Sequence, residues 1–237
     1  MTTLNERAYG ILKSVAKDAT LSNGVLLIDV GVKETPKKPL DVGIKIVEAS
    51  MGGLAKVEVR GSALRVSIPK NPALATLGCQ LAGWKVAEGC YASGPARILA
   101  RKPRELYEKV GYSEESKKAA VVIECERLPT NETLNKIRSA CGAHELARAC
   151  FKPDSEGGII NILARVVEIA FFRLDYLGYD TRKIVKASGT VPCGARTPED
   201  ANDSIIYSGS VSLETHDWNE SLTKKCISSA SRLHGRR

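Results

Sequence analysis

Residues 158–175, Gly-Ile-Ile-Asn-Ile-Leu-Ala-Arg-Val-Val-Glu-Ile-Ala-Phe-Phe-Arg-Leu-Asp, constrain the fold more than any other part of this 237-residue chain. Apolar residues recur so densely that the stretch predicts one helix that is apolar over most of its circumference. At roughly 100° per residue, Asn161, Arg165, Glu168 and Asp175 fall within about 80° of one another. A helix this apolar must be largely buried, and its narrow polar seam must then face a cleft, a partner or another polar group. Arg165 and Glu168 stand three residues apart, so their side chains can meet. Two readings of that pair are open from the residues alone. One is a structural ion pair, and the other is a general acid/base carboxylate tuned by a guanidinium.

The remaining sequence supplies mixed elements to enclose such a helix. Residues 4–16 carry apolar side chains at helical spacing, and residues 44–51 predict a second helix stopped by Gly52-Gly53. Residues 25–30 and 119–124 read as buried strands. Residues 55–60 and 64–69 alternate like a hairpin around Gly61-Ser62. Residues 33–39 read as a Lys/Pro-rich loop. Asn71-Pro72 opens a short helix towards Cys79, and residues 131–141 predict another. Residues 184–187 and 204–213 read as extended. Helices and strands intermix throughout, so the fold class is α/β or mixed α+β.

Composition excludes several functions. Hydrophobic residues make up 43% and charged residues 26%, as in ordinary globular chains. The longest apolar region, 158–177, is interrupted by Asn161, Arg165, Glu168, Arg173 and Asp175, which excludes a membrane span there. The first seven residues lack the layout of a secretory signal, so a cytoplasmic protein is expected. Seven cysteines at scattered spacing, with no C-x-x-C, predict reduced and partly buried thiols. His144, His216 and His234 are isolated and suggest no metal cluster. The net charge of +8 would suit a nucleic-acid binder. The charge is dispersed, however, with local clusters only at Arg101, Lys102 and Arg104 and at Arg232, His234, Arg236 and Arg237. No RNA-binding motif accompanies it, and a basic surface serves an anionic small molecule equally well.

Other segments are individually weak. In Tyr91-Ala-Ser-Gly-Pro-Ala-Arg97, Pro95 suits a first helical position with Gly94 or Ser93 as cap. Such a start is either a plain capped helix or an anion-receiving one, with Arg97 adding charge. Met51-Gly52-Gly53 permits a tight turn or a close backbone approach to a flat ligand. Gly78-Cys79-Gln80-Leu81-Ala82-Gly83-Trp84 and Asn202-Asp203-Ser204 carry no specific signal by themselves. No Ser/His/Asp arrangement and no Walker or Rossmann glycine pattern is present.

Taken in order, these segments resemble one family. Asp29-Val-Gly-Val, Asp41-Val-Gly-Ile, Met51-Gly-Gly-Leu-Ala, Leu77-Gly-Cys-Gln-Leu-Ala-Gly-Trp84, Ser93-Gly-Pro-Ala-Arg97, Arg165-Val-Val-Glu-Ile-Ala170, Ile184-Val-Lys-Ala-Ser-Gly189 and Asn202-Asp-Ser-Ile-Ile-Tyr-Ser-Gly209 are similar, collinearly, to the methenyltetrahydromethanopterin cyclohydrolases. The resemblance implies a two-domain α/β fold with the site in a cleft between domains, divided here as 1–128 and 129–237. It implies cytoplasmic homotrimers in one-carbon metabolism and methanogenesis that hold no metal or prosthetic group. Their substrate is the one-carbon carrier tetrahydromethanopterin in its methenyl form, and neither nucleic acid nor membrane is a partner. The catalytic pair maps onto Arg165 and Glu168. Substrate contacts map onto Met51, Gly52, Gly53, Gln80, Ser93, Gly94, Pro95, Ala96, Arg97, Asn202 and Asp203. Two departures are visible. Family chains continue beyond the point matched by residues 231–237, and they place proline, not Gly194, after the cysteine matched by Cys193. A C-terminally short member is therefore expected, with a catalytically impaired pterin-binding or assembly module as the alternative.

Overall fold

The computed structural model describes residues 2–16, 24–33 and 35–234. Arg236 and Arg237 of the terminal basic cluster, and Glu34 of the Lys/Pro-rich loop, lie outside these residues. Two sheets organise the fold. The first has the order β1 (Val25–Val30), β7 (Glu145–Phe151), β6 (Lys118–Cys125), β5 (Cys90–Ser93) and β4 (Trp84–Ala87). Its β1/β7 and β7/β6 pairs are parallel, and the β6/β5 and β5/β4 pairs are antiparallel. The second sheet is antiparallel throughout, in the order β2 (Lys56–Arg60), β3 (Ala63–Ile68), β8 (Ile184–Pro192) and β9 (Ser210–Thr215).

Helices cover the first sheet on both faces, as parallel strands demand. Helices α1 (Leu4–Val15) and α2 (Pro39–Ser50) pack on Leu26, Ile28, Ala120, Val122, Ala147 and Ala149. The opposite face, with Val121, Ile123, Leu146 and Cys150, is closed by α5 (Asn131–Ala140) and α3 (Ala96–Ala100). Helix α2 touches both sheets, and a single core joins α2, α6 (Glu156–Leu163), α7 (Val166–Tyr176) and α8 (Pro198–Ser208) to Leu64, Val66, Ile68, Ala187 and Val191 of the second sheet. The second sheet is apolar on that face only, which its period-2 burial records: Leu64, Val66 and Ile68 are buried and Arg65 is exposed. A π-helix (Leu74–Gln80), α4 (Arg104–Val110) and α9 (Glu220–His234) complete the described elements.

The mixed α/β class expected from the sequence is present, and the seven cysteines are thiols outside any disulfide. No helix among the described residues is long and apolar enough to cross a membrane. Each sheet draws strands from both sides of residue 128. A division at 128/129 falls between β6 and β7, adjacent parallel strands of one sheet, so it does not separate the two sheets.

Three local expectations are corrected. The helix expected over 158–175 is two helices, because the chain tightens at Ala164-Arg165, where the Arg165 N–H donates to the Ile162 carbonyl. Residues 204–208, expected to be extended, end helix α8. Thr197 caps that helix by accepting from the Asp200 N–H, and Pro198 begins it, so capping outweighs the apolar alternation. The short helix after Asn71-Pro72 is a π-helix, and its Leu74 and Cys79 are buried against Leu4 and Ile98.

The turn before α6 folds back onto the first turn of that helix at backbone contact. A Cβ at Gly158 would lie 2.1 Å from the Lys152 carbonyl oxygen and 2.6 Å from that of Pro153. Backbone cannot yield as a side chain does. Gly158→Ala is therefore expected to destabilise the fold by at least about 2 kcal/mol in chemical denaturation. Stability within about 0.5 kcal/mol of wild type would contradict this packing.

Candidate active site

The break between α6 and α7 sets the site. Arg165 occupies the N-cap position of α7, with φ −77° and ψ 0°, and Glu168 falls in the first turn. Free N–H groups and the positive end of the helix dipole favour a carboxylate at that place. The Arg165 Nε donates to Glu168 Oε2 at 2.7 Å. The two ends of this pair sit in different surroundings: the Glu168 side chain is 1% exposed and that of Arg165 is 36% exposed. Glu168 Oε1, also buried, has no protein partner. One carboxylate oxygen is thus held in place and the other is available to accept a proton.

Gln80, the last residue of the π-helix, reaches the same break. Its Nε2 donates to the Ala164 carbonyl at 3.1 Å, and its Oε1 is buried without a partner. Asn161, one turn earlier on the polar seam, likewise keeps a buried and unpartnered Nδ2. Asp175, the last residue of the seam, pairs instead with Lys109 at 2.7 Å and lines a separate cavity of about 250 Å³ with Thr181 and Arg182.

Arg97 is 1% exposed and lies close enough to Glu168 for their charges to attract. Burial lowers its pKa to about 10, which leaves it charged at neutral pH. Its guanidinium donates to the carbonyls of Leu77, Cys79, Leu81 and Lys102. The side chain thereby satisfies the carbonyl end of the π-helix and fixes Gln80. Helix α3, which carries Arg97, spans only Ala96–Ala100 and has Pro95 at its cap position. Ser93 donates to the Val122 carbonyl, and the Gly94 N–H donates to the Cys79 carbonyl at 2.7 Å. Gly94 has φ +97°, and a Cβ there would lie 3.0 Å from the Ala120 oxygen, so glycine alone suits this crossing. Pro95 in turn accepts from Asn5 Nδ2.

The remaining substrate-contact candidates are distributed. Met51 is fully buried at the end of α2. Gly52, with φ +67°, packs on Leu4 and the Cys79 sulfur, and Gly53 packs on Ile11 and Arg7. These three join α1, α2 and the π-helix. Asn202 and Asp203 are exposed on α8. Asn202 donates to the Pro198 carbonyl, and Asp203 lines a depression of about 370 Å³ with Pro192, Asp200, Ser204 and Tyr207. The residues lining that depression do not include Arg165 or Glu168.

Glu124 was not singled out from the sequence. It lies near the carboxyl end of parallel strand β6, half-buried, and feels the Arg165 charge. Its signal was present as a carboxylate closing the run Ala-Ala-Val-Val-Ile, because ligand clefts in parallel sheets open at carboxyl ends of strands. Burial raises its pKa more than Arg165 lowers it. A carboxyl raised in this way favours folding below its ordinary value of 4.5 and loses that contribution as pH rises through the raised value. Glu124→Gln should therefore gain stability relative to wild type as pH rises from 4 towards neutrality, as read by urea denaturation across that range. A constant difference would contradict the raised value.

A family model described as Cyclohydrolase (MCH) matches residues 11–237. The protein named methenyltetrahydromethanopterin cyclohydrolase of Methanocella arvoryzae is 32% identical, covering 100% of this chain and 82% of its own. That of Methanospirillum hungatei is 36% identical over 90% of this chain and 75% of its own. That of Methanocaldococcus jannaschii is 30% identical over 100% of this chain and 83% of its own. With the family matched across nearly its whole length, the chain belongs to the MCH cyclohydrolase family.

Proposed function

We propose that this chain hydrolyses 5,10-methenyltetrahydromethanopterin to the 5-formyl derivative, with Glu168 as proton acceptor and donor and Arg165 as its holder. The family and the printed names of the relatives support the reaction. The observation that carries the residue roles is the divided carboxylate: Glu168 Oε2 is bound by Arg165, while Oε1 is buried and unpartnered.

The substrate carbon belongs to an amidinium-like cation. Water attacks it, an O–C bond forms, and the electron pair of the C=N bond moves to nitrogen. The water proton passes to Glu168, which then protonates the departing nitrogen as the C–N bond breaks. The hydroxyl left on carbon becomes the formyl oxygen, and one proton is released overall. The negative charge of Glu168 also favours the cationic substrate. Arg165 keeps the carboxylate in line with the water, an orientation effect.

We assign Gln80 to the reacting centre and Arg97 to the frame behind it, because the Arg97 guanidinium is bound to backbone carbonyls. Ser93, Gly94, Pro95 and Ala96 form the wall beside Arg97. Met51, Gly52 and Gly53 shape the turn next to it, and Asn202 and Asp203 contribute an outer contact. No prosthetic group is required, because the pterin carries the one-carbon unit. The protein acts in the cytoplasm as a homo-oligomer, taken as a trimer from the family resemblance.

The test follows methenyl chromophore loss. Wild type should exceed the spontaneous rate, and Glu168→Gln should lower kcat at least about 100-fold with the fold intact. No rate above the spontaneous one in folded wild type would end the cyclohydrolase reading, and full turnover in the variant would remove Glu168 from its role.

A further inference from the structure

Buried polar side-chain atoms nearly always find a hydrogen-bond partner. Among the described residues four do not: Gln80 Oε1, Arg148 Nε, Asn161 Nδ2 and Glu168 Oε1. Arg148 stands apart on β7, where its Nη1 donates to the Pro129 carbonyl. The other three lie on two segments that meet at Ala164. Gln80 is bonded to the carbonyl of Ala164, which lies between Asn161 and Glu168. Asn161 stands in the last turn of α6 and Glu168 in the first turn of α7, on either side of the tight turn at Ala164-Arg165.

Their chemistry is complementary. Only the nitrogen end of the Gln80 amide can donate to a carbonyl, so its orientation is fixed and Oε1 is left as an acceptor. Glu168 Oε1 is a second acceptor, and Asn161 Nδ2 is a donor. A water molecule offers two protons and accepts through its lone pairs, and buried waters characteristically make about three hydrogen bonds to otherwise unsatisfied groups.

We propose that Gln80 and Asn161 hold the attacking water against Glu168 Oε1. This rests on the cyclohydrolase reading and adds two water-holding residues to it. The water gives one proton to Glu168 Oε1 and keeps the other directed at Gln80 Oε1. Asn161 Nδ2 occupies one lone pair, and the second lone pair is left to attack the methenyl carbon. As the O–C bond forms, the proton shared with Glu168 transfers to it, and the C=N electrons move to nitrogen. Held this way, the water is oriented before substrate arrives, which acts on kcat and not on substrate affinity.

Two measurements on the full chain test this. The first is a high-resolution crystal structure. One ordered water at about 2.7–3.2 Å from Gln80 Oε1, Asn161 Nδ2 and Glu168 Oε1 is expected. Direct pairing of those atoms with one another, or a site without that water, overturns the proposal whether or not the protein turns over. The second compares Gln80→Ala, Asn161→Ala and the double variant. Each single variant should lower kcat about 10–100-fold with KM within about threefold, and the double variant should lose less than the product of the two. Effects that multiply, or unchanged kcat in both, overturn it. If Asn161→Ala does not fold, Asn161→Leu, close in size and uncharged but lacking the donor, should show the same loss of kcat. A folded wild type without turnover would count against the cyclohydrolase reading alone, and the crystal structure would still decide the water site.

Discussion

The ion pair of Arg165 and Glu168 sets a demand that several elements around it meet. A carboxylate 1% exposed is costly unless its charge is compensated. Here three elements compensate it: the Arg165 guanidinium at 2.7 Å, the first turn of α7, and the buried charge of Arg97. None of the three satisfies the second oxygen. The arrangement keeps Glu168 in place and leaves one oxygen available, which a carboxylate needs in order to move a proton.

The larger architecture serves this position. The break between α6 and α7 puts Arg165 at a helix start, and Gln80 holds the break by binding the Ala164 carbonyl. Gln80 is fixed in turn by Arg97, which gathers the carbonyl end of the π-helix. The segment before Arg97 is anchored by Asn5, whose side chain bonds Pro95, Glu114 and the Ala120 N–H. A chain of buried polar contacts therefore runs from α1 through the first sheet to Glu168. Such chains are held by each member being satisfied, and the atoms left unsatisfied mark where a ligand or water belongs.

Much of this was legible in the sequence, and the rest depended on distant partners. The i,i+3 spacing of Arg165 and Glu168 announced their contact, and the apolar runs gave β1, the hairpin of β2 and β3, and β6. The break inside 158–175 was not legible, because the Ala164 carbonyl at the break is met by Gln80, 84 positions away in sequence. Helix α8 was misread because the alternation near Ile205 hid the cap at Thr197. Arg97 looked like an anion contact from its place near a helix start. Its inward direction is set by the carbonyls of the π-helix, which local pattern cannot anticipate. The interleaving of the two sheets is likewise a property of long-range pairing, since β3 pairs with β8 across more than half the chain.

The role proposed for Arg165 is to fix one oxygen of Glu168 and not only to supply charge. Steady-state kinetics of Arg165→Lys with the methenyl substrate test it most directly. Lysine keeps the charge but is a flexible point cation, without the planar fork that holds a carboxylate in one orientation. A kcat lowered at least about 10-fold with KM within about threefold is expected. A kcat equal to wild type would show that charge alone suffices and would contradict it.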